Sequence, residues 1–271
     1  MELRITSQRA TLAASLREIF AYRDLLWILA YREISVRYKQ TVIGIFWVVL
    51  QPVIITVLFT VVFGHFAKLP TDGIPQGLFF LCGNTLWGLV SNILARAGAS
   101  VIADERLITK VYFPRAIIPL ATIFSSGFDF LVTFVLLLIV AACYGSPPGL
   151  YSVALLPAIL ISLLGAGGLG TALAGWTVRY RDFRYLVQFI VQFGFYASPV
   201  LYPVSMIPEQ YRFWYYLNPM SGSLELFRYG ITGASSLNLP GVALSSLMAL
   251  LVFFAGGLVF RQVEQSFADN I

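Results

Sequence analysis

Asp129 is the residue that raises the clearest chemical question, because it is the carboxylate expected deep inside an apolar segment. Acids placed within a membrane are candidates for proton relays or ligand contacts. A proton pathway needs further ionisable partners, however, and we expect no basic side chain at the same depth. A structural hydrogen bond from Asp129 to a neighbouring helix is therefore the favoured interpretation, with a functional role as the alternative.

The run Gly165–Gly170 has the G-x-G-x-x-G spacing that binds dinucleotides in other proteins. That chemistry requires a preceding strand, and a helix N-terminus that meets the phosphates. Here the run lies inside an apolar segment with no strand before it, so nucleotide binding is rejected. Gly167, Thr171 and Gly175 instead predict a stripe of small residues for close helix packing.

The sequence also lacks the motifs of several enzyme classes. No lysine stands in G-x-x-x-x-G-K-[ST], so we expect no phosphate-binding loop and no ATP hydrolysis by this chain. No D-x-D motif offers carboxylates to a metal and a sugar nucleotide, and Asp104–Glu105 is an isolated acidic pair. Cys82 and Cys143 lack C-x-x-C spacing and are predicted to be small core residues. We therefore expect neither a metal site nor a cofactor here.

The composition is that of a membrane protein. Of 271 residues, 58% are hydrophobic and 11% are charged, and the mean hydropathy is +0.80. The net charge of +5 does not indicate nucleic-acid binding, because the basic residues fall in short loops and form no stripe. No secretory signal is expected, since the chain opens with charged residues and its first apolar run is late and long.

Hydrophobic runs predict an all-α integral membrane fold with six transmembrane helices. The fifth run contains Gln188 and Gln192, and it is the shortest of them together with the second. Pro52, inside the first run, predicts a kinked helix that packs against others, because lipid cannot satisfy the carbonyl that proline leaves unpaired. The predicted spans are 42–64, 77–95, 118–143, 153–178, 185–203 and 241–260.

The loops predict the orientation. Fifteen of the 18 Lys and Arg residues lie on one side of the six spans. The remaining three, Lys68, Arg212 and Arg228, lie on the other side. Cytoplasmic loops are enriched in Lys and Arg, so both termini are predicted to be cytoplasmic.

Residues 12–38 predict an amphipathic helix, which we treat as part of an N-terminal cytoplasmic segment, 1–41, ahead of a transmembrane domain, 42–271. Its apolar face repeats every four residues from Leu26 to Tyr38, and Glu33 can pair with Arg37 on another face. Such a helix lies in the membrane interface with its basic residues toward lipid phosphates. Anchoring to lipid and docking to a partner remain equally open. The polar residues assigned to this interface helix are Arg32, Glu33, Arg37 and Lys39.

The 95–116 segment predicts more than a connector. Ser100 is expected to cap a short helix that runs through Asp104 to Lys110, and Tyr112–Pro114 would end it. On the residues alone, a basic loop whose side chains reach toward lipid headgroups is the favoured interpretation of its role.

The region between Pro203 and Pro240 is neither a span nor a polar loop. It contains the aromatic run Tyr211–Tyr216, and Asn218–Pro219 is a favourable helix start. Two short helices that dip into the outer leaflet would fit, provided that protein buries their ends. Glu225 and Arg228, three residues apart, could neutralise each other there. A surface cap is the alternative.

Four separated segments resemble the permeases of polysaccharide-exporting ABC transporters. The first runs from Arg37 to Pro52 and reads R-Y-K-Q-T-V-I-G-I-F-W-V-V-L-Q-P. The second is L-I-T-K-V-Y-F-P-R, at 107–115, followed by I-I-P-L. The others are the turn at 176–184 and N-P-M-S-G-S-L-E-L-F-R, at 218–228. The resemblance covers nearly the whole chain.

The resemblance implies roles for particular residues. The short helix of the 95–116 segment would insert into a groove of an ATPase subunit and couple it to transport. The residues implied in that coupling are Asp104, Glu105, Arg106, Lys110, Tyr112, Phe113 and Arg115. Those of a cytoplasmic turn are Arg179, Arg181 and Asp182, and those of an outer gate are Asn218, Pro219, Glu225 and Arg228. Aromatic residues that could line a channel are Trp47, Phe59, Trp87 and Tyr196.

The resemblance further implies a homodimeric permease in the bacterial inner membrane. Two copies of a separate ATPase, which binds ATP and Mg²⁺, would drive export of a polyprenyl-diphosphate-linked polysaccharide, such as an O-antigen, a capsule or a teichoic acid. Two other classes stay open. A secondary transporter or channel would want more intramembrane ionisable groups than Asp129 supplies. A membrane glycosyltransferase would want paired carboxylates, which the sequence does not show.

Overall fold

Ten α-helices and no strand make up the described part of the chain. The computed structural model describes residues 18–39, 44–147, 149–180, 182–233 and 237–264. A π-helical turn, Thr60–Phe66, continues the second helix, and a 3-10 turn, Leu150–Ala154, precedes the sixth. The helices are α1 Arg23–Tyr38, α2 Phe46–Phe59, α3 Gln76–Ala103, α4 Glu105–Lys110, α5 Ile117–Cys143, α6 Leu155–Arg179, α7 Phe183–Ala197, α8 Glu209–Tyr216, α9 Pro219–Thr232 and α10 Leu239–Glu264.

Five helical segments are long and apolar enough to cross a membrane. They are Phe46–Phe66, Gln76–Ala103, Ile117–Cys143, Leu150–Arg179 and Leu239–Glu264. The all-α membrane class is thus confirmed, and five of the six predicted spans have counterparts. The fifth predicted span, 185–203, is the one without such a counterpart; it corresponds to α7, which has only 15 residues.

The predicted boundary between the second span and its loop is wrong. The apolar run fades near residue 95, but α3 continues to Ala103. Within this extension Arg96 meets an acidic partner on α5, and the Ser100 hydroxyl donates within α3 to the Ala97 carbonyl. Ser100 therefore does not cap the short helix, which begins only after Asp104.

Contacts between helices define two ends of the bundle, which we call the α4 end and the α9 end. At the α4 end, Arg32 of α1 donates to Asp104 at 2.7 Å, and Arg115 Nη1 donates to the Glu264 carbonyl at 2.8 Å. At the α9 end, Arg228 Nη1 donates to the Pro199 carbonyl at 2.6 Å. The start of α5 and the last residue of α10 therefore lie at the same end.

α7 connects the two ends. Its one buried residue, Val187, packs so close to Gly98 of α3 that a Cβ on Gly98 would lie 2.8 Å from Val187 Cγ2. At the other extremity of α7, Asn218 Nδ2 donates to the Ala197 carbonyl at 3.4 Å. The chain thus passes from the α4 side of the bundle to the α9 end along this short helix.

α3 is the central helix, and α2 is peripheral. Of the 18 most apolar consecutive residues in each segment, 72% are buried in α3 and 0% are buried in Phe46–Phe66. Phe79, Phe80, Leu86 and Ile93 place large side chains of α3 in the core. α2 therefore contributes one face to the protomer and leaves the rest of its surface uncovered.

Close packing of α6 against α10 depends on glycine, and the closest approaches are at Gly168 and Gly256, which lie outside the predicted stripe of Gly167, Thr171 and Gly175. A Cβ on Gly168 would lie 2.4 Å from Phe253 Cα, and one on Gly256 would lie 1.9 Å from the Gly168 carbonyl oxygen. Of the predicted stripe, Gly175 also faces α10, whereas Gly167 faces Ile123 of α5. The run Gly165–Gly170 is helical throughout. It therefore does not form the loop that would bind a nucleotide.

Candidate functional site: a polar cavity and its two ends

A cavity of about 590 Å³ lies between α2, α3, α5 and α7. One stripe of α3 faces it: Asn84, Gly88, Asn92 and Arg96 all line the cavity. These residues are four apart, a spacing that keeps them on one face of a helix. Gln51 of α2 adds a further polar group. An otherwise apolar helix therefore presents a polar track of about 18 Å, at 1.5 Å per residue.

This track was not predicted from the sequence. Arg96 falls in the segment 95–116 that was predicted to follow the second span, and Asn84 and Asn92 were not among the candidate residues. The signal was present in the spacing of Asn84, Asn92 and Arg96, which stand eight and four residues apart and so share one helix face.

Three of the four aromatic residues predicted to line a channel lie at this cavity, namely Trp47, Phe59 and Trp87. Tyr196 lies outside its lining, and the preceding residue, Phe195, takes that place. Tyr196 is exposed, as are Phe189 and Phe193, whose rings stack 5.7 Å apart.

An ion cluster occupies the cavity near the α4 end, where Asp129 of α5 is the central group. Arg37 and Tyr38 of α1 and Arg96 of α3 all donate hydrogen bonds to its carboxylate. Burial, and then the bond to Asp129, raises the pKa of the Tyr38 phenol. The expectation that Asp129 has no basic partner at its depth is wrong, because α1 and the extended α3 bring two arginines to it.

The predicted ion pair between Glu33 and Arg37 within α1 is also not seen. Arg37 bonds Asp129, while Glu33 accepts a 2.5 Å hydrogen bond from Ser125 of α5. α1 is therefore fastened to α5 by polar groups along one face. Lys39, the last of the polar residues assigned to this helix, is exposed.

The predicted coupling residues divide into two groups. Glu105, Arg106 and Lys110 of α4 are exposed, and Tyr112 is 83% exposed. Three members face inward. Asp104 bonds Arg32, and Arg115 bonds Glu264. Phe113 is buried in an apolar cluster with Leu26, Leu29, Ala30, Ile117, Ile118 and Ala121. The exposed face of α4 is thus joined to α1, α5 and α10 through its neighbours.

The predicted cytoplasmic turn is described only in part. Arg179 and Asp182 are exposed, and the Arg179 guanidinium lies 5.3 Å from the centre of the Tyr180 ring. Arg181 lies outside the described residues.

The predicted helix start at the α9 end is confirmed. Asn218 is the N-cap of α9, where its side chain accepts a 3.0 Å bond from Met220 N, and Pro219 is the first helical residue. Two short helices, α8 and α9, occupy the region between Pro203 and Pro240 as expected. α9 is buried along most of its length.

The predicted neutralisation of Glu225 by Arg228 is not seen. Tyr216 donates to the Glu225 carboxylate at 2.6 Å, and the Asn238 backbone donates at 2.8 Å. Arg228 instead donates to the carbonyls of Pro199 and Val200. Both side chains line a second cavity of about 260 Å³. Burial raises the pKa of Glu225 and lowers that of Arg228 to about 10.

Apolar helices of spanning length around a polar cavity define this chain as a multi-pass membrane protein of the transporter class. The chain belongs to the ABC-2 type transporter family, which it matches over residues 24–232. That match extends from α1 to the end of α9, so it includes α4 and the whole lining of the larger cavity. Leu237 and Asn238 of the smaller cavity lie beyond it.

Several bacterial permeases are similar along nearly their whole length. The chain is 29% identical over 263 residues to the O-antigen export system permease protein RfbA of Myxococcus xanthus, covering 94% of this chain and 98% of that protein. It is 25% identical over 251 residues to an RfbA of Klebsiella pneumoniae, with 91% and 94% covered. The polysialic acid transport protein KpsM of Escherichia coli is 24% identical over 247 residues, with 87% and 92% covered.

Proposed function

We propose that this chain is the permease subunit of an ABC exporter that moves a polyprenyl-diphosphate-linked polysaccharide, such as an O-antigen, across the bacterial inner membrane. The cavity beside α3 carries this proposal. It presents amide, hydroxyl and guanidinium groups together with Trp47, Trp87 and Phe195. Hydrogen-bonding groups that alternate with aromatic faces suit a chain of sugar rings. The names of the similar permeases point to the same class of cargo.

The proposed topology has six crossings, with α7 as the fifth. α6 runs from the α9 end, where a Cβ on Gly230 would touch Leu155, to the α4 side, where Thr177 donates to the Gly98 carbonyl at 2.6 Å. α10 begins again beside Tyr216 at the α9 end. The chain must therefore return between them, and α7 spans about 22 Å of that distance at 1.5 Å per residue. The residues that follow Ala197 supply the remainder.

The α4 end would be cytoplasmic, because it holds most of the basic residues. α1 would then lie at the cytoplasmic surface of the membrane. α8 and α9 would enter the outer leaflet from the opposite side. The uncovered surfaces of α2 and α7 are available to a second copy of the chain, in keeping with a homodimer.

Coupling to a separate ATPase would use the two groups of residues around α4. Glu105, Arg106 and Lys110 are free to meet a charged groove, because they are exposed. Movement of α4 would reach α1 through Asp104 and the membrane spans through Phe113 and Arg115. ATP and Mg²⁺ would be bound by the ATPase.

The experiment reverses the exposed charges alone, by Glu105→Lys combined with Lys110→Glu, and leaves Asp104 to hold Arg32. The variant and its ATPase are expressed in a strain lacking the chromosomal permease, and surface polysaccharide is measured. We expect a loss of about tenfold or more, with weaker co-purification of the ATPase, because breaking desolvated charge pairs costs several kcal/mol.

Glu209→Lys is the matched control, since Glu209 is an exposed acid at the α9 end. It should leave export and ATPase binding unchanged. Normal surface polysaccharide in the α4 variant, with the ATPase still bound, would show that α4 does not couple the two subunits. Failure of the wild-type chain to restore any surface polysaccharide would contradict the proposed function itself.

A further inference from the structure

The polar cavity carries an unbalanced positive charge. Three charged side chains line it among the described residues: Arg37, Arg96 and Asp129. The side chain of Asp129 is 7% exposed, and those of Arg37 and Arg96 are 28% and 23% exposed. Two guanidinium groups thus share one carboxylate. The next acid on α1, Glu33, accepts a bond from Ser125 and lies outside the lining.

An arginine without its own carboxylate in this partly buried cavity favours the binding of a second anion. Taking a charge out of water is costly unless a counter-charge and hydrogen bonds replace the lost hydration. Asp129 offers only two oxygens to three donors, so each arginine keeps N–H groups that the carboxylate does not use. Both arginines line the cavity and their side chains are partly exposed, so an anion there can reach them.

We propose that Arg37 and Arg96 bind a phosphate or diphosphate ester, which competes with Asp129 for their guanidinium groups. Planar guanidinium groups match phosphate oxygens in a two-pronged geometry, and a phosphate can accept from both arginines at once. The proposal rests on the proposed function, because it places the diphosphate of the lipid-linked cargo at the α4 end of the cavity.

The rest of the cavity suits what is attached to such a phosphate. Beyond Arg96 the α3 stripe continues through Asn92 to Asn84, so polar groups extend away from the arginines toward the α9 end. The hydroxyl of Thr85, which also lines the cavity, is buried and has no hydrogen-bond partner among the described residues. A sugar hydroxyl would satisfy it.

Competition gives Asp129 a distinctive role. Its carboxylate holds the C-terminal end of α1 through Arg37 and Tyr38. A bound phosphate would take over the arginines and weaken that attachment. Asp129 is therefore a positioning residue that opposes binding, whereas the two arginines favour it.

The test uses the permease together with its ATPase in nanodiscs of phosphatidylcholine, with radiolabelled farnesyl diphosphate as the probe. We expect Arg37→Gln and Arg96→Gln each to weaken binding about tenfold, and Asp129→Asn to strengthen it about threefold or more. Farnesol, which lacks the phosphates, should not compete. Arg23→Gln is the control, because Arg23 lies on the same helix, is exposed and lies outside the cavity.

The opposite effects of the arginine and aspartate variants separate this proposal from a purely structural cluster. If Asp129→Asn weakens binding as much as Arg96→Gln, or if neither arginine variant changes it, the proposal is overturned. Thermal unfolding is measured for each variant. Should Arg96→Gln fail to fold, Arg96→Lys replaces it, with an expected intermediate loss because lysine cannot form the two-pronged contact.

A second set of nanodiscs distinguishes the source of the phosphate. Phosphatidylglycerol that displaces the probe would identify a membrane phospholipid as the occupant, and lack of displacement would identify the lipid diphosphate. Export of polysaccharide by cells is scored separately. A wild-type chain that exports but binds no farnesyl diphosphate overturns this inference alone, and one that binds but does not export overturns only the proposed function.

Discussion

Both cavities are lined by arginine, but the arginines find their partners in opposite ways. At the α9 end, Arg228 is 3% exposed and donates to the carbonyls of Pro199 and Val200 at 2.6 and 2.8 Å. Its guanidinium lies 3.6 Å from the centre of the Phe79 ring. At the α4 end, Arg37 and Arg96 share Asp129 and remain partly open to a larger cavity.

The difference separates an arginine that holds the fold from arginines available to a ligand. Arg228 bonds backbone groups just after α7, where the chain turns toward α8, and no side-chain carboxylate is within salt-bridge distance of it in the described structure. Those carbonyls have no other described donor to replace it. The arginines at the α4 end bond a carboxylate that a phosphate can imitate, so exchange there leaves the backbone untouched.

The largest effect is expected from Arg228→Met. The change leaves two buried carbonyls without their donor and removes the contact with Phe79. Unsatisfied buried groups cost about 1–3 kcal/mol each, so a total of about 3–5 kcal/mol is expected. Thermal unfolding and size-exclusion profiles in detergent should show a destabilised protein. Arg23→Met, at an exposed site, should behave as wild type, and equal stability of the two variants would contradict a structural role for Arg228.

Arg37→Gln should mainly reduce export, whereas Arg228→Met mainly reduces stability. Asp129 keeps Arg96 and Tyr38 as donors, so the unfolding temperature should fall much less than it does for Arg228→Met. Export should nevertheless fall about tenfold, because half of the guanidinium pair for the cargo phosphate is lost. Surface polysaccharide and thermal unfolding measured on the same variant decide the matter. Loss of folding in parallel with loss of export would mean that this end is structural too.

Glu225→Gln should change the pH dependence of stability. Burial raises the pKa of Glu225 above its usual 4.5, so the folded protein holds this proton more tightly than the unfolded chain does. The wild type should therefore lose stability as the pH rises from the usual pKa through the raised one, and the glutamine variant should lose less. Unfolding temperatures across that range test this, with Glu209→Gln as the exposed control.

The sequence predicted what depends on local pattern. Asn218 followed by Pro219 specified the start of α9, and the apolar runs located five spans, because capping and hydrophobic length act over a few turns. Contacts between distant segments were missed. Nothing near Asp129 in sequence shows that Arg37 and Arg96 will meet it, since they arrive 92 and 33 residues away through packing of α1 and α3.

The same limit explains the errors at the α9 end. Glu225 and Arg228 have the spacing of a helical ion pair, but tertiary partners override it. Asn238 and Tyr216 reach the carboxylate from outside α9, and the chain after α7 supplies carbonyls to the guanidinium. A local pairing rule worth a few tenths of a kcal/mol cannot compete with buried hydrogen bonds to charged groups, worth about 1.5–3 kcal/mol each.

The smallest effects are expected from removing one phenol hydroxyl at each end. Tyr216→Phe takes a donor from Glu225, which keeps only the Asn238 backbone bond, so a cost of about 1–3 kcal/mol is expected. Tyr38→Phe takes a donor from Asp129, which keeps two arginines, so the cost should stay near 0.5–1.5 kcal/mol, that is, about that of one ordinary hydrogen bond. Thermal unfolding of the two variants side by side measures the difference. A larger loss for Tyr38→Phe would mean that the cluster at the α4 end, and not the one at the α9 end, is the more rigid attachment.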